Sequence, residues 1–101
     1  MEAAVPTFIV LGTYTEQGIR NIKNLAQLRQ QAEQWVASKN GKVISNYTTL
    51  GPYDFVFTCE LPSDEAVLEG AFLFGSRGDV RSVTMRAFEA REAESIAQRI
   101  P

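Results

Sequence analysis

The segment at residues 50–55 contains the residue types that could transfer a proton. Gly51 and Pro52 are followed at once by a phenol and a carboxylate, Tyr53 and Asp54. A carboxylate in a dry pocket can act as a general base, and a phenol can donate a hydrogen bond or form a stacking wall. The simpler interpretation is a turn in which Asp54 accepts a hydrogen bond from the backbone or from an arginine. We favour it, because turn chemistry alone explains these residue types.

A second group of polar residues lies at positions 17–23, where a strand is predicted to give way to a helix. Gly18 and Asn21 stand here beside the cations Arg20 and Lys23. Free backbone N–H groups at the start of a helix can hold an anion. The Gly-Lys-Ser/Thr triplet of a phosphate-binding loop is absent, so a solvated helix surface is the favoured interpretation. The glycines of the 75–79 segment follow a predicted helix, which favours a helix C-cap and turn there.

Arg86 is the third candidate. Arg81 and Arg86 lie an odd number of positions apart on one predicted strand, so their side chains face opposite sides of the sheet. Pairing of Arg86 with Glu60 or Asp54 across strands is the simpler interpretation, and recognition of an acidic ligand is the alternative.

The composition excludes several kinds of chemistry. The 101 residues contain no histidine and one cysteine, Cys59. This removes the commonest general base, the commonest zinc ligand and every Ser-His or Cys-His arrangement. We therefore expect no metal site, no cofactor and no internal disulfide. Twelve acidic residues against ten basic ones give a net charge of −2 without a basic block, which argues against nucleic-acid binding.

Membrane insertion is not expected either. No run of apolar residues approaches the roughly eighteen that a spanning helix needs. The first four residues lack the basic start of a signal peptide. These two observations predict a cytoplasmic protein.

Hydrophobic periodicity predicts the elements that position these residues. Strands are expected at 6–14, 42–49, 53–61 and 80–88, and helices at 19–36 and 66–74. The first helix should be broken near its start and closed by a left-handed Gly41. A three-residue turn at 50–52 should join the second and third strands. The chain is predicted to be one domain, residues 1–101, with a core at about 6–88 and a helical tail at 89–101.

The order βαββαβ predicts an α+β fold in which one four-stranded antiparallel sheet carries two helices on one face. In the third strand, Tyr53, Phe55, Phe57, Cys59 and Leu61 should point toward the helices. The opposite face should be mixed, with apolar groups of the first strand beside Asp54, Val56, Thr58, Glu60, Thr84 and Arg86. Such a face could be solvated, or it could meet a second copy and enclose a partly polar cavity.

Several motifs together resemble the GYD domain family. They are Tyr14-Thr15, the run at 17–23, the run at 51–55, Gly75-Ser76 with Gly78 and Val80-Arg81, and Arg86-Ala87-Phe88. The family signature falls on Gly51, Tyr53 and Asp54, and the resemblance covers about residues 6–88. It implies a ferredoxin-like domain related to the dimeric α+β barrel proteins, in which two sheets face each other. It implies no reaction.

The hypothesis we favour is a small-molecule binding or sensing module that forms a homo-oligomer, either a dimer or a multiple of dimers. Its ligand-binding candidates are Tyr14, Gly18, Asn21, Gly51, Tyr53, Asp54 and Arg86. The alternative is a cofactor-independent barrel enzyme of monooxygenase or isomerase type, in which Asp54 and Tyr53 or Tyr14 transfer protons. Wider barrel relatives include haem-binding proteins, but the usual axial histidine is missing here. A trimeric nitrogen-regulatory protein and an RNA-recognition fold share the element order and are weaker alternatives, the first because it needs long effector loops.

Overall fold

Within residues 5–101, the part of the chain that this computed structural model describes, four strands and four α-helices follow one another along the sequence. Their order and bounds are β1 (Thr7–Tyr14), α1 (Glu16–Arg20), α2 (Leu25–Ser38), β2 (Lys42–Thr48), β3 (Phe55–Glu60), α3 (Asp64–Arg77), β4 (Val80–Ala87) and α4 (Ala90–Ala97). The predicted α+β order is confirmed. The prediction about a signal peptide rests on residues 1–4, which lie outside the described residues.

The sheet is antiparallel throughout, with strand order β2-β3-β1-β4. Helices α2 and α3 pack on one face of it, where Phe8, Val36, Cys59 and Leu61 form the buried core. All of this matches the predicted ferredoxin-like arrangement. None of the described helices has the length and apolar character needed to cross a membrane.

The break predicted near the start of the first helix is present. Thr15 caps α1, because its side chain accepts a hydrogen bond from the backbone N of Gly18 at 3.1 Å. After five residues α1 ends at Asn21, and a short 3-10 turn (Ile22–Asn24) leads into α2. The chain can therefore change direction between β1 and the long helix that covers the sheet.

The end of α2 differs from the prediction. Asn40, and not Gly41, has the left-handed conformation, with φ 61°. Asparagine tolerates this region because its short side chain can hydrogen-bond locally. Gly41 serves another purpose, since a Cβ there would overlap the carbonyl oxygen of Glu60.

Helix α3 is longer than predicted at both ends. Ser63 caps its start by accepting a hydrogen bond from the backbone N of Ala66 at 3.2 Å. At its other end Gly78 has φ 84°, the left-handed C-cap conformation. This confirms that the 75–79 segment is a helix end and turn.

The connection between β2 and β3 is longer than the three residues predicted. A hydrogen bond from Thr49 N to Asp54 O, 2.8 Å long, closes a loop over residues 50–53. Gly51 has φ 116° in this loop, and the Leu50 side chain is fully exposed. Tyr53 and Asp54 therefore belong to the loop rather than to β3.

The prediction that Thr84 and Arg86 lie on the uncovered face was wrong. Arg86 is paired directly with Phe8, and Thr84 with Val10. Partners opposite each other in an antiparallel pair project from the same face, and Phe8 is buried under the helices. Thr84 and Arg86 therefore project toward the helix side.

The uncovered face, called the outer face below, is more apolar than predicted. One row across the sheet is Tyr47, Val56, Leu11 and Val83, and the next is Ser45, Thr58, Ile9 and Met85. The exposed fraction of the side chain is 66% for Tyr47, 49% for Val83 and 41% for Met85. An apolar band thus crosses the sheet with no element of residues 5–101 over it.

Candidate functional site

A cavity of about 370 Å³ separates the helices from the inner face of the sheet. It adjoins the small buried core, whose Val36, Cys59 and Leu61 also line it. Most of its wall consists of side chains of α2, α3 and β3, including Leu28, Trp35, Phe55, Phe57, Phe74 and Val67. Ligand-binding pockets in proteins span about 300–1,000 Å³ and have mainly apolar and aromatic walls. The cavity has the size and lining of such a pocket.

Aromatic rings form one wall of the cavity. The ring centroids of Tyr14 and Phe55 are 5.5 Å apart, and those of Phe55 and Phe57 are 6.3 Å apart. Phe55 can occupy this position only because its neighbour on β1 is Gly12, where a Cβ would overlap the ring. The glycine therefore determines the shape of the cavity wall.

Polar groups enter the cavity from both edges of the sheet. Asn46 and Thr48 line it from β2, and Ser82 and Thr84 line it from β4. Each can donate or accept hydrogen bonds. Among the described residues that line the cavity, Arg29 alone is charged at neutral pH, and its side chain is 53% exposed and lies 3.8 Å from Glu33. The interior consequently presents hydrogen-bonding groups rather than a buried charge.

Tyr14 contributes a phenol to the same space. Burial, and secondarily the negative charge of Asp54, raises the pKa of Tyr14 above its usual value. The phenol therefore keeps its proton at neutral pH and can donate a hydrogen bond to a ligand.

Asp54 holds the end of β1 in two ways. Its carboxylate Oδ2 accepts a hydrogen bond from the backbone N of Tyr14 at 2.9 Å. Its own backbone N donates to the carbonyl oxygen of Gly12 at 2.8 Å. The simpler interpretation from the sequence, an acceptor for the backbone, describes this geometry. Asp54 is not among the residues that line the cavity.

The turn after α3 holds the next residue of the chain. The backbone N of Thr15 donates to the carbonyl oxygen of Asp79 at 3.0 Å, and its hydroxyl donates to the carbonyl oxygen of Gly78. Gln17 Nε2 donates to Asp79 Oδ1 at 3.0 Å. At Gly18 a Cβ would overlap the carbonyl oxygen of Asp79. The run at 17–23, the run at 51–55 and the segment at 75–79 thus all contact Tyr14 or Thr15.

The predicted site residues lie in several separate parts of the structure. Tyr14 lines the cavity. Gly18 and Asn21 line a second pocket of about 260 Å³ on the surface beside α1. Gly51 and Tyr53 lie in the β2–β3 loop, where the Tyr53 carbonyl oxygen accepts a hydrogen bond from the Thr49 hydroxyl at 2.6 Å. These residues do not form one site.

Arg86 lies apart from all of them. Its guanidinium stacks over the Phe88 ring, 4.4 Å from the centroid, and lies 5.7 Å from that of Phe8. It also donates to the carbonyl oxygens of Thr7 and Ala87. Neither pairing suggested by the sequence, with Glu60 or with Asp54, is among the ion pairs of residues 5–101.

Most residues of the cavity wall were not identified as site residues from the sequence. Trp35 and Phe74 have the helical spacing of ordinary core residues, and nothing in the pattern distinguishes a core from a cavity. The sequence did contain one signal of the cavity. It is the presence of polar residues at inward-facing positions of the two edge strands, β2 and β4. Asn46 is paired with Phe57, and Thr84 with Val10, so a polar and an apolar side chain share the inner face at each edge.

Comparison with known proteins assigns the family. Residues 8–97 match the GYD domain. The chain belongs to the GYD domain family. A relative from Thermus thermophilus, named glutamine synthetase and cystathionine beta-lyase binding protein, is 33% identical over 84 residues, which cover 82% of this chain and 88% of the relative.

Two solved structures share the fold of this GYD domain. Leucine response regulatory protein (LrpA) of Mycobacterium tuberculosis has a TM-score of 0.54 at 14% identity and covers 84% of this chain. The match spans 51% of LrpA, about half of that chain. TTHA0845 from Thermus thermophilus has a TM-score of 0.53 at 23% identity, covering 84% of this chain and 95% of that one. At these identities the two structures show the fold alone.

Proposed function

We propose that this GYD domain is a homo-oligomeric module that binds or senses a small molecule in the cavity between its helices and its sheet. The observation that supports the proposal most directly is the cavity of about 370 Å³. Aromatic rings line one side of it, and hydroxyl and amide groups line the other. A single domain of this size normally fills that space with side chains. A ligand would supply the missing packing.

The chemistry of the wall indicates the class of ligand. Apolar and aromatic side chains favour a largely apolar molecule, and a buried charge without a partner would be costly to accommodate. Tyr14, Thr48 and Ser82 can each make a hydrogen bond to it. The ligand we propose is neutral, aromatic or alicyclic, and has one or two hydroxyl or carbonyl groups.

The homo-oligomer in this proposal is a dimer in which two outer faces pack together, as in the α+β barrel proteins. Its support is the apolar band formed by Leu11, Val56 and Val83, which crosses a face that residues 5–101 leave uncovered. Exposed apolar bands of this kind commonly mark protein interfaces.

Trp35 provides a direct test. It is the single tryptophan of the sequence and lines the cavity. Titration with 1-naphthol, a neutral aromatic alcohol, should change Trp35 fluorescence in a saturable way, and the naphthalene-1-carboxylate anion should bind at least tenfold more weakly.

Two variants of α2 make this test specific. Ala32 lines the cavity, whereas Ala37 is exposed on the same helix. Ala32→Leu should weaken 1-naphthol binding at least tenfold by occupying the cavity, and Ala37→Leu should leave it unchanged. Equal binding by both variants, or no saturable change in the wild type, would contradict the proposal.

A second candidate function is binding of a partner protein. The name of the relative from Thermus thermophilus supports it, since that protein is named as binding glutamine synthetase and cystathionine beta-lyase. The exposed apolar outer face offers a surface of the right kind. If this function applies, the purified domain should co-sediment with a glutamine synthetase, and Val83→Asp should abolish the complex without changing 1-naphthol binding.

The cofactor-independent enzyme has less support. Its proposed base, Asp54, binds the backbone N of Tyr14 and is not part of the cavity lining. Proton abstraction from a ligand in the cavity would require the carboxylate to give up that hydrogen bond and reach a different space.

A further inference from the structure

Helix α4 and the turn after it carry an apolar stripe against which no described element of the domain packs extensively. Ala93, Ile96, Ala97 and Ile100 follow the three- and four-residue spacing that places side chains on one side of a helix. The side chain of Ile100 is 75% exposed and that of Ile96 is 42% exposed. Every residue from 88 to 101, called the arm below, is exposed. Among the described elements, none packs extensively against α4.

A helix in this situation needs an external contact to be stable. Isolated helices shorter than about 12–15 residues are marginal in water, and α4 has eight. Glu89, at the N-cap position, makes no side-chain capping hydrogen bond. Tertiary or quaternary packing of the apolar stripe is therefore the interaction that would maintain α4 as a helix.

The dimensions of the molecule agree with an arm that projects from the rest of the chain. The principal extents are 53, 30 and 19 Å. The longest helices, α2 and α3, have 14 residues each, which corresponds to about 21 Å. The molecule is thus elongated, as expected if the exposed arm extends away from the sheet and its helices.

We propose that the arm packs its apolar stripe onto the outer face of a second copy of this chain, so that two copies exchange arms across their dimer. This inference rests on the homo-oligomer of the proposed function and adds to it the segment that completes the interface. A second copy is the occupant because each molecule carries both halves of the contact, an exposed apolar stripe and an exposed apolar outer face.

The position of the arm supports this pairing. It follows directly from β4, the edge strand whose Val83 and Met85 border the outer face. Its first residue, Phe88, is stacked under the Arg86 guanidinium, which holds the base of the arm at the end of β4, on the helix side of the sheet. An arm that starts at the end of an edge strand can reach around that edge to a molecule packed against the outer face.

The arm would enlarge the apolar surface available to a dimer interface. Four strands about 4.8 Å apart and six to eight residues long give an outer face with a projected area of about 400–500 Å². A stable dimer usually buries about 800 Å² of accessible surface on each partner, and the apolar stripe of the arm would add to what the outer face contributes.

The test compares two double variants of the arm that add the same charge. Ile96→Asp with Ile100→Asp places two carboxylates on the apolar stripe, whereas Ser95→Asp with Gln98→Asp places them on the opposite side of α4. Sedimentation velocity over a concentration series should show a dimer dissociation constant raised at least tenfold by the first pair and changed less than threefold by the second. Equal effects of the two pairs, or none from either, would overturn the proposal.

A cross-linking experiment tests where the stripe lies. The variants Ile96→Cys and Val83→Cys are prepared separately, mixed and oxidised, with the buried Cys59 left in place. A disulfide between the two different chains is expected. Its absence, together with a dimer that persists without the arm, would assign α4 to a partner other than a second copy.

The outcome is separable from that of the ligand proposal. If the arm variants are monomeric but still change Trp35 fluorescence with 1-naphthol, the arm inference stands and the cavity acts within one subunit. If they remain dimeric with unchanged ligand binding, the arm inference alone fails. A wild-type protein that is monomeric at high concentration contradicts both the arm and the homo-oligomer.

Discussion

The carboxylate of Asp54 accepts a hydrogen bond from the backbone N of Tyr14, 2.9 Å away, although the two residues are 40 positions apart in the sequence. The contact joins the β2–β3 loop to the last residue of β1. The backbone pairing of β1 with β3 ends at Gly12 and Phe55, and this side-chain hydrogen bond joins the two segments just beyond that point. In this chain, the aspartate of the Gly-Tyr-Asp signature is thus a structural hydrogen-bond acceptor that fixes the residue lining the cavity.

Two substitutions separate the charge of Asp54 from its hydrogen bond. Asp54→Asn keeps an oxygen that can accept from Tyr14 N, whereas Asp54→Ala removes it. A hydrogen bond to a charged group contributes about 1.5–3 kcal/mol and a neutral one about 0.5–1.5 kcal/mol. We expect the alanine variant to lose about 2 kcal/mol of unfolding free energy in urea and the asparagine variant less than half of that. Equal losses of unfolding free energy in the two variants would mean that the hydrogen bond accepted from Tyr14 N does not account for the stabilisation by Asp54.

The titration of Tyr14 gives a second prediction. Burial raises its pKa most, and the Asp54 charge raises it further. Asp54→Asn should therefore lower the pKa of Tyr14 while leaving it above the ordinary value. Near-ultraviolet absorbance followed against pH measures this, and Tyr14→Phe identifies the transition. A pKa unchanged by Asp54→Asn would show that the charge does not reach the phenol.

The pH dependence of stability should reveal Cys59. Burial raises the pKa of its thiol from 9.0 to about 11. Well below pH 9 the thiol is protonated in both states and contributes no pH dependence. Between pH 9 and 11 the unfolded chain loses the proton first, so the free energy of unfolding should decrease.

Other groups also ionise in this range, so the measurement is a difference. The unfolding free energy of the wild type minus that of Cys59→Ala should fall as the pH rises from 9 to 11. A difference that stays constant over this interval contradicts the raised pKa. At neutral pH, Cys59 should also react slowly with thiol reagents, because little thiolate is present.

Two glycines should respond in opposite directions to substitution by alanine. At Gly18 a Cβ would overlap the carbonyl oxygen of Asp79, and at Gly75 it would meet nothing within 4 Å. Gly18→Ala is expected to destabilise by about 1–3 kcal/mol through displacement of the turn. Gly75→Ala is expected to stabilise α3 by about 0.5–1 kcal/mol. Thermal unfolding of both variants measures the contrast, and a tolerated Gly18→Ala would contradict the tight contact.

The element order and the caps were predictable from local sequence. Ser63 begins α3 and Gly78 ends it by mechanisms that act within a few residues, and Thr15 begins α1 in the same way. The loop after β2 was misjudged because its closing hydrogen bond, from Thr49 to Asp54, depends on the pairing of two strands. Such a bond has no signature in residue types alone.

The placement of Arg86 shows what the alternation of side-chain direction along a strand does not determine. Alternation along β4 predicts that Arg86 shares a face with Thr84 and Ser82, and it does. It does not predict which face is covered, because that depends on the register with Phe8 on β1. The cavity is a similar case, since Trp35 and Phe74 have the spacing of core residues whether or not the space between them is filled.

The cavity also has a consequence for the response of the protein to hydrostatic pressure. Wherever its apolar walls keep water out of the space of about 370 Å³, the folded chain occupies more total volume than its unfolded form, whose surfaces are in contact with water. Compression therefore favours unfolding, and it should do so more strongly here than in a domain of equal length with a filled core. A molecule seated between the helices and the sheet would remove much of this volume difference, so that resistance to pressure becomes a measure of occupancy.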